Sequence, residues 1–337
     1  MNKKILIGII AVAALAAGGY FYMLRYANNV AQKGYLYIPT GARFEQILDS
    51  VQPLLKSNTS FKQVAKQKGL DEHFYPGRYS LKPGMSNSEI INMIKQGKQD
   101  EIAIRIGNYA SIYELAGKVA PFLEADSAQI VESIATAAYT QGLDTPSMLH
   151  FFLPNTYNFH WNTSGADFAQ KMKKEFDQFW TADRKTKADA AGMNTQEVVT
   201  LASIVQLEST KADEQPKVAG LYLNRLRIGM KLDADPTIIF IKKMQSGFRT
   251  KISRVYYNDL KIASPYNTYL NKGLPPSPIC MPNPSAIDAV LNPAKHDYLY
   301  FVADPQRPGY HWFARTLPEQ EQNAARYRAW LDEHNIK

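Results

Sequence analysis

The order of apolar and polar residues divides the chain into one long apolar run and a series of shorter periodic segments. Residues 5–24 carry no charged side chain; Lys3 and Lys4 precede them and Arg25 follows. A helix of about 20 apolar residues matches the hydrocarbon thickness of a bilayer, so this run predicts a single membrane-spanning helix. The lysines before the run favour a cytoplasmic N-terminus and place the residues after Arg25 across the membrane.

A cleaved signal peptide is the alternative interpretation of this run. Ala14-Leu15-Ala16 fits the small residues that flank a cleavage site. We favour an anchor because the apolar run continues beyond that site and is aromatic at its outer end. Residues 1–25 are therefore predicted to form a cytoplasmic tip and a membrane anchor. In a bacterium, the anchor would lie in the inner (cytoplasmic) membrane and the remaining chain in the periplasm or cell exterior.

Two folded regions are predicted after the anchor, and together they define an α+β protein. In residues 26–107, strand patterns alternate with short helical patterns, which indicates a small α+β module. Residues 108–337 form a larger mixed α+β region of helices and long polar loops. The predicted strands are 35–38, 78–81, 102–106 and 298–302, and the main loops are 233–237, 264–269 and 273–278.

Glu208 is the candidate catalytic residue of the larger region. Asn194 or Thr195 caps a helix whose apolar stripe includes Leu201 and Ile204. Glu208 follows Ile204 by one helical turn, so helical geometry places it on the same face. Burial there raises the pKa of a carboxyl and lets it donate a proton at neutral pH. Alternatively, Glu208 ends the helix and faces water; the spacing alone does not decide.

Composition restricts the other kinds of chemistry. The 337 residues include one cysteine, Cys280, so neither an internal disulfide nor a cysteine zinc site can form. The six histidines lack metal-ligand spacing, and nucleotide-binding motifs are missing. The net charge of +8 comes from scattered residues without a nucleic-acid-binding motif. We therefore predict no metal, no cofactor and no nucleic-acid partner.

Several motifs in one order resemble the YceG-like endolytic murein transglycosylases. They occupy residues 201–208, 218–230, 235–237, 266–269 and 273–276, and the likeness extends to 293–295 and 298–304. The resemblance covers nearly the whole chain. It implies that the 26–107 module is LysM-like and that residues 108–337 form a YceG-like catalytic domain.

The resemblance also implies cleavage of nascent peptidoglycan strands between N-acetylmuramic acid and N-acetylglucosamine, leaving 1,6-anhydro ends. One carboxyl suffices if it protonates the leaving oxygen and then takes the proton of the sugar's own 6-hydroxyl. By motif position that carboxyl is Glu208. Membrane peptidoglycan synthases are candidate partners. The candidate substrate-binding residues are Asp235, Thr237, Tyr266, Asn267, Thr268 and Tyr269.

Three positions depart from the family pattern, and two other functions stay open. Gln206 and Asn155 stand where acids are usual, and Gln320 replaces a histidine. One alternative function is a non-catalytic peptidoglycan-binding or synthase-docking protein. The other is a hydrolase with two carboxylates. Its second carboxylate would be Asp213, Glu214, Asp233 or Asp235.

Overall fold

The computed structural model describes residues 3–252 and 254–334, and the chain packs as two units. The first unit extends to residue 104 and includes 122–125 and 158–164; the second comprises 105–121, 126–157 and the chain from 165 onward. The helices are α1 (Lys3–Tyr26), α2 (Phe44–Val51), α3 (Asn58–Gln67), α4 (Asn87–Lys95), α5 (Ile112–Val119), α6 (Ser127–Thr136), α7 (Thr145–Met148), α8 (Gly165–Phe179), α9 (Ala182–Ala190), α10 (Thr195–Glu208), α11 (Gln215–Arg227), α12 (Asp235–Gln245), α13 (Pro284–Leu291) and α14 (Leu317–Glu333). The strands are β1 (Gly34–Ile38), β2 (Gly77–Leu81), β3 (Glu101–Ile106), β4 (Asn155–His160), β5 (Tyr300–Ala303) and β6 (His311–Ala314). This is the mixed α+β fold that the sequence predicts.

Helix α1 confirms the predicted apolar helix and is long and apolar enough to cross a membrane. The structure also ties its last turn to the rest of the first unit. The Asn87 side chain donates to the Leu24 carbonyl at 2.8 Å and accepts from the Asn29 side-chain amide at 2.7 Å. Asn29 in turn bonds the backbone of Ser57 through both its amide and its carbonyl oxygen. The helix therefore continues directly into the packed part of the unit.

The rest of the first unit has the strands and helices predicted for the small module. β1 and β2 pair antiparallel with Leu36 opposite Tyr79, and α2, α3 and α4 contribute buried apolar side chains to the same core. The predicted module ends at residue 107, whereas the main segment of this unit ends at 104 and is joined by two later segments. The LysM-like assignment stays a prediction.

Helix α10 lies in the core of the second unit. Helices α11, α12 and α13 pack against it, and the shared core includes Leu201, Val218 and Ile287. All of residues 198–206 are buried, including polar ones. The sequence predicts one apolar face on α10. The buried surface of the helix is wider than that face, because neighbouring elements cover α10 on several sides.

Two regions predicted as irregular contain regular structure. Residues 235–237, predicted as a loop, open α12, where Pro236 occupies the first turn because its missing N–H has no partner there anyway. Residues 155–160, which lie outside the predicted strands, form β4. The sequence also missed β6, which pairs antiparallel with β5 and brings Phe301 opposite Phe313. Each of these two strands has four residues, which gives little room for an alternating pattern.

Candidate active site

Glu208 is the last residue of helix α10, and hydrogen bonds at the start and in the middle of the helix hold the helix in place. At its start, the Asn194 side chain accepts from the Glu197 amide at 2.9 Å, and the Glu197 carboxylate accepts from the Asn194 amide at 2.8 Å. In its middle, the Ser203 hydroxyl accepts from the Ile279 amide at 3.0 Å. These bonds and the surrounding core fix the helix, so the position of its last residue is fixed as well.

The Glu208 carboxyl lies among protein groups at the end of α10. Its Oε1 accepts a hydrogen bond from the Tyr222 hydroxyl at 3.0 Å. Burial raises the pKa of Glu208 to about 7; the Tyr222 hydrogen bond and the Arg225 charge oppose this increase, and the Asp235 charge adds to it. A negative charge at a helix C-terminus is also unfavourable. Part of the side chain is still accessible to solvent, so Glu208 ends the helix without lying freely in water.

Glu208→Gln is expected to increase the free energy of unfolding at neutral and alkaline pH. The pKa of Glu208 is raised in the folded chain, so the stability it contributes is complete below about pH 4.5 and is lost as the pH rises through about 7. Glutamine removes this loss, which amounts to at most about 3 kcal/mol. Urea unfolding at about pH 5 and pH 8 measures the difference. The same difference at both pH values would contradict the raised pKa.

Tyr222 reaches Glu208 from helix α11. Its side chain is 1% exposed, and its ring packs edge-on against Phe301 with the centroids 6.2 Å apart. Burial, followed by the charge of Glu208, raises the pKa of Tyr222 well above its usual value. Tyr222 therefore remains a hydrogen-bond donor to Glu208 throughout the physiological pH range.

Asp235 and Tyr269 form a second polar pair, and the charge of Asp235 acts on Glu208. The Tyr269 hydroxyl donates to Asp235 Oδ1 at 2.6 Å, and Lys231 donates to the Tyr269 carbonyl at 2.8 Å. Asp235 is exposed at the first turn of α12 and raises the pKa of Glu208 through its charge. Of the six predicted substrate contacts, Asp235 and Tyr269 are the two that are not buried.

The other four predicted substrate contacts, Thr237, Tyr266, Asn267 and Thr268, lie in the interior, and each is at most 5% exposed. The hydroxyls of Thr237 and Thr268 are 2.9 Å apart, and Thr268 Oγ1 also accepts from the Ala234 amide at 3.0 Å. These bonds attach the segment 266–269 to the start of α12, so the two threonines have a clear packing function.

Tyr266 and Asn267 are also bonded inside the protein. The Tyr266 and Ser277 hydroxyls are 2.5 Å apart. The Asn267 side-chain amide donates to the carbonyls of Leu260 and Ile262 at 3.0 and 2.8 Å. Asparagine side chains often stabilise irregular segments in this way. The structure thus places Asp235 and Tyr269 where ligands can reach them and the remaining four in supporting positions.

The four acids considered as a second carboxylate have different surroundings. Glu214 is buried, and both its oxygens accept hydrogen bonds within the protein. Asp213 accepts from a tyrosine hydroxyl at 3.0 Å, and Asp233 pairs with an arginine at 3.6 Å. Asp235 is exposed, and its charge acts on Glu208. Asp235 is therefore the acid on which the two-carboxylate alternative depends.

The three departures from the family pattern occupy distinct environments. Gln206 is buried, and its Oε1 accepts from the Asn283 amide at 3.2 Å. Gln320 donates to the Phe301 carbonyl at 2.9 Å, and Asn155 accepts from the next backbone amide at 2.8 Å. Gln320 is the departure that bears on the site, because it holds the residue against which the Tyr222 ring packs.

Cys280 and the metal-ligating residue types of the described chain offer weaker candidates for catalysis than Glu208. Burial raises the pKa of Cys280 to about 12, which suppresses the thiolate that a nucleophile requires. Within residues 3–252 and 254–334, His, Cys, Asp and Glu form no group of three or more that could hold a metal ion. Glu208 thus stands out among the described residues as a partly accessible carboxyl with a pKa raised to about 7.

A cavity of about 950 Å³ lies at the opposite end of α10 and includes Glu197 and Arg227 in its wall. At 1.5 Å of rise per residue, this end is roughly 20 Å from Glu208. The Glu197 carboxylate already accepts the bond that caps the helix. We therefore do not assign acid catalysis to this cavity.

Tyr222 is the site residue that sequence reasoning missed. It belongs to the 218–230 motif, where its position on a helical stripe suggests only a core side chain. A buried tyrosine hydroxyl nevertheless needs a polar partner. A tyrosine on the buried face of the helix that follows Glu208 was therefore a usable signal, although the packing of α10 against α11 was needed to identify the partner.

A mixed α+β chain with an apolar N-terminal helix and a partly accessible glutamate whose pKa is raised to about 7 has the features of a general acid–base enzyme. The sequence profile of the YceG-like family matches residues 36–326, so the chain belongs to the YceG-like family. This match covers both units and the residues around Glu208.

Known relatives agree with this assignment. The chain is 28% identical over 311 residues to the endolytic murein transglycosylase of Bacillus subtilis strain 168, covering 86% of this chain and 83% of that protein. It is 25% identical to the endolytic murein transglycosylase of Streptococcus pneumoniae strain D39, covering 95% of this chain and 64% of that protein. The crystal structure of a yceG-like protein from Listeria monocytogenes matches with a TM-score of 0.56 and 24% identity, covering 86% of this chain and 98% of that one, which supports the fold.

Proposed function

We propose that this chain is a lytic transglycosylase that cleaves peptidoglycan glycan strands, with Glu208 as both acid and base. The observation that carries the proposal is the position of the Glu208 carboxyl at the end of α10, where it accepts from the Tyr222 hydroxyl and burial raises its pKa to about 7. Such a carboxyl is partly protonated at neutral pH and can both donate and accept a proton. The names of the B. subtilis and S. pneumoniae relatives support the same activity.

In the first step, protonated Glu208 donates to the oxygen that joins C1 of N-acetylmuramic acid to N-acetylglucosamine. Because the Tyr222 hydroxyl donates to Oε1, the acidic proton is carried by Oε2. The C1–O bond breaks with its electron pair going to the leaving oxygen, so positive charge develops at C1. The departing sugar leaves as an alcohol, and Glu208 becomes a carboxylate.

In the second step, the 6-hydroxyl oxygen of the same muramic acid residue attacks C1, and Glu208 takes the proton of that hydroxyl. A C1–O6 bond forms, the 1,6-anhydro ring closes, and Glu208 returns to its protonated form without consuming water. The bond from Tyr222 stabilises the carboxylate that exists between the two steps. One acid thus completes the cycle.

Substrate contacts are proposed for two of the six predicted residues. Asp235 is exposed, and its negative charge acts on the region in which positive charge develops at C1. Tyr269 orients Asp235 through its 2.6 Å hydrogen bond. The N-acetyl group of the substrate is a further source of stabilisation. Thr237, Tyr266, Asn267 and Thr268 are proposed to shape the site from within.

The proposal places the enzyme at the membrane through α1, whose length and composition suit a single span. Residues after Arg25 then lie on the side of the membrane where peptidoglycan is built. Membrane peptidoglycan synthases remain candidate partners because they produce the proposed substrate in the same layer.

The products and one substitution distinguish the proposed reaction from its alternatives. The full chain in detergent is expected to release 1,6-anhydro ends from peptidoglycan, detected by mass spectrometry. Asp235→Asn should retain this product with kcat reduced roughly tenfold, because it loses a supporting charge rather than a nucleophile. Reducing ends together with complete loss of activity in Asp235→Asn would favour the two-carboxylate hydrolase. Binding without cleavage would favour the non-catalytic protein.

A further inference from the structure

The segment between α10 and α11 is tied to the β5–β6 hairpin through one buried carboxylate. Glu214 Oε2 accepts from the Ser209 hydroxyl at 2.9 Å and lies 2.9 Å from His311 Nδ1. Glu214 Oε1 accepts from the His311 backbone amide at 2.8 Å. We call Ser209, Glu214 and His311 the hairpin clamp.

The hairpin clamp is attached directly to the end of the helix that carries Glu208. Ser209 follows Glu208, and its amide donates to the Val205 carbonyl at 3.0 Å, which closes the last turn of α10. Gln215 also donates to the Ser209 carbonyl at 3.0 Å. Since Ser209 is 1% exposed and bonded through its side chain and backbone, displacing it would displace the Glu208 backbone.

Ring contacts also connect the clamp to the Tyr222 hydroxyl that bonds Glu208. The His311 ring packs edge-on against Phe301 with centroids 4.9 Å apart, and Phe301 packs edge-on against Tyr222 at 6.2 Å. Tyr222 donates to Glu208. The clamp therefore contacts both the backbone that carries the acid and the ring that supports its hydrogen-bond donor.

We propose that Ser209, Glu214 and His311 are positioning residues that hold the Glu208 carboxyl in its desolvated place beside Tyr222. Glu214 is committed to the clamp through both oxygens, and its location at the start of α11 suits a negative charge. None of the three is proposed to touch the substrate. Small displacements of a reacting group reduce the rate strongly, so loosening the clamp should lower kcat more than binding.

The test uses Ser209→Ala and His311→Phe in the full chain, because each removes one side-chain bond to Glu214. His311→Phe keeps a ring against Phe301. Ser209→Thr keeps a hydroxyl and serves as the conservative rescue. Glu124→Gln is the control, because Glu124 is a carboxylate that accepts from the Thr40 amide and hydroxyl in the first unit and has no bond to the clamp. Circular dichroism confirms folding of each variant.

This inference rests on the proposed function, so one readout is independent of activity. Carbon-13 NMR of the glutamate carboxyls, with Glu208→Gln for assignment, follows the titration of Glu208 itself. Ser209→Ala and His311→Phe should lower its midpoint by roughly half a pH unit or more, because a loosened carboxyl becomes hydrated. Ser209→Thr and Glu124→Gln should leave it unchanged.

Cleavage assays supply the second readout. The two loosening variants should lower kcat roughly tenfold with KM within about twofold of the wild type, while the control and the rescue variant remain near wild type. An unchanged Glu208 titration in a folded Ser209→Ala variant overturns the positioning role, whatever the cleavage result. A wild-type chain that fails to cleave peptidoglycan overturns the proposed function, and the titration then still decides the role of the clamp.

Discussion

Glu208→Gln is expected to lower kcat for peptidoglycan cleavage by at least about 10³-fold, because the same carboxyl serves as acid and then as base. Glutamine has nearly the same shape and can still accept the hydrogen bond from Tyr222 through its carbonyl oxygen. The loss should therefore fall on kcat, with substrate binding retained. Release of anhydro ends, followed by mass spectrometry over time, measures it.

Glu197→Gln is the matched control for this substitution. Glu197 lies on the same helix, and a glutamine at its position can still complete the capping box with Asn194. The control should keep activity within about twofold, since Glu197 lies roughly 16 Å from Glu208 along the helix. Cleavage by Glu208→Gln at more than a tenth of the wild-type rate would remove Glu208 from the mechanism.

Tyr222→Phe is expected to lower kcat by roughly 10- to 100-fold, the usual value of a hydrogen bond to a charged group. The phenyl ring preserves the packing against Phe301, so the change isolates the hydroxyl. The lost bond normally lowers the pKa of Glu208, so its removal should raise that pKa further. The limb of the pH–rate profile that reports Glu208 should move to higher pH.

Tyr79→Phe separates this effect from the general loss of a buried hydroxyl. The Tyr79 hydroxyl donates to the Tyr75 carbonyl at 2.9 Å within the first unit. This variant should lose some stability but keep the wild-type pH–rate profile. If Tyr222→Phe shows a lower rate with an unmoved profile, then the hydroxyl stabilises the fold without tuning Glu208.

Most helices and strands of the first unit could be predicted because short local patterns determine them. The alternation around Leu36 and Tyr79 matches a strand pair with one buried face. Helix α4 begins with a local cap, in which the Ser86 hydroxyl accepts from the Glu89 amide. In the second unit, such patterns were less informative. Helix α10 is buried on several sides, which removes the contrast between apolar and polar faces on which periodicity depends.

The candidate site was predictable in part, for a similar reason. Motif position indicated Glu208, but the helical spacing left open whether this acid is buried or faces water, and its partner came from α11 through packing. Among the six predicted contacts, a sequence cannot distinguish a polar side chain that faces substrate from one that bonds its own loop. Asn267 illustrates this, since its amide is used entirely for backbone carbonyls.

The bond between Asn87 and Leu24 limits how far the first unit can travel from a bilayer that contains α1. Residues 26–29 span at most roughly 14 Å of chain, and hydrogen bonds hold Leu24 before this stretch and Asn29 at its end. A domain that is joined to its membrane anchor by a long flexible linker can move away from the membrane surface. If α1 spans a bilayer, as proposed, this short connection confines the first unit to a layer next to the lipid headgroups, and its motion relative to the membrane is mainly lateral.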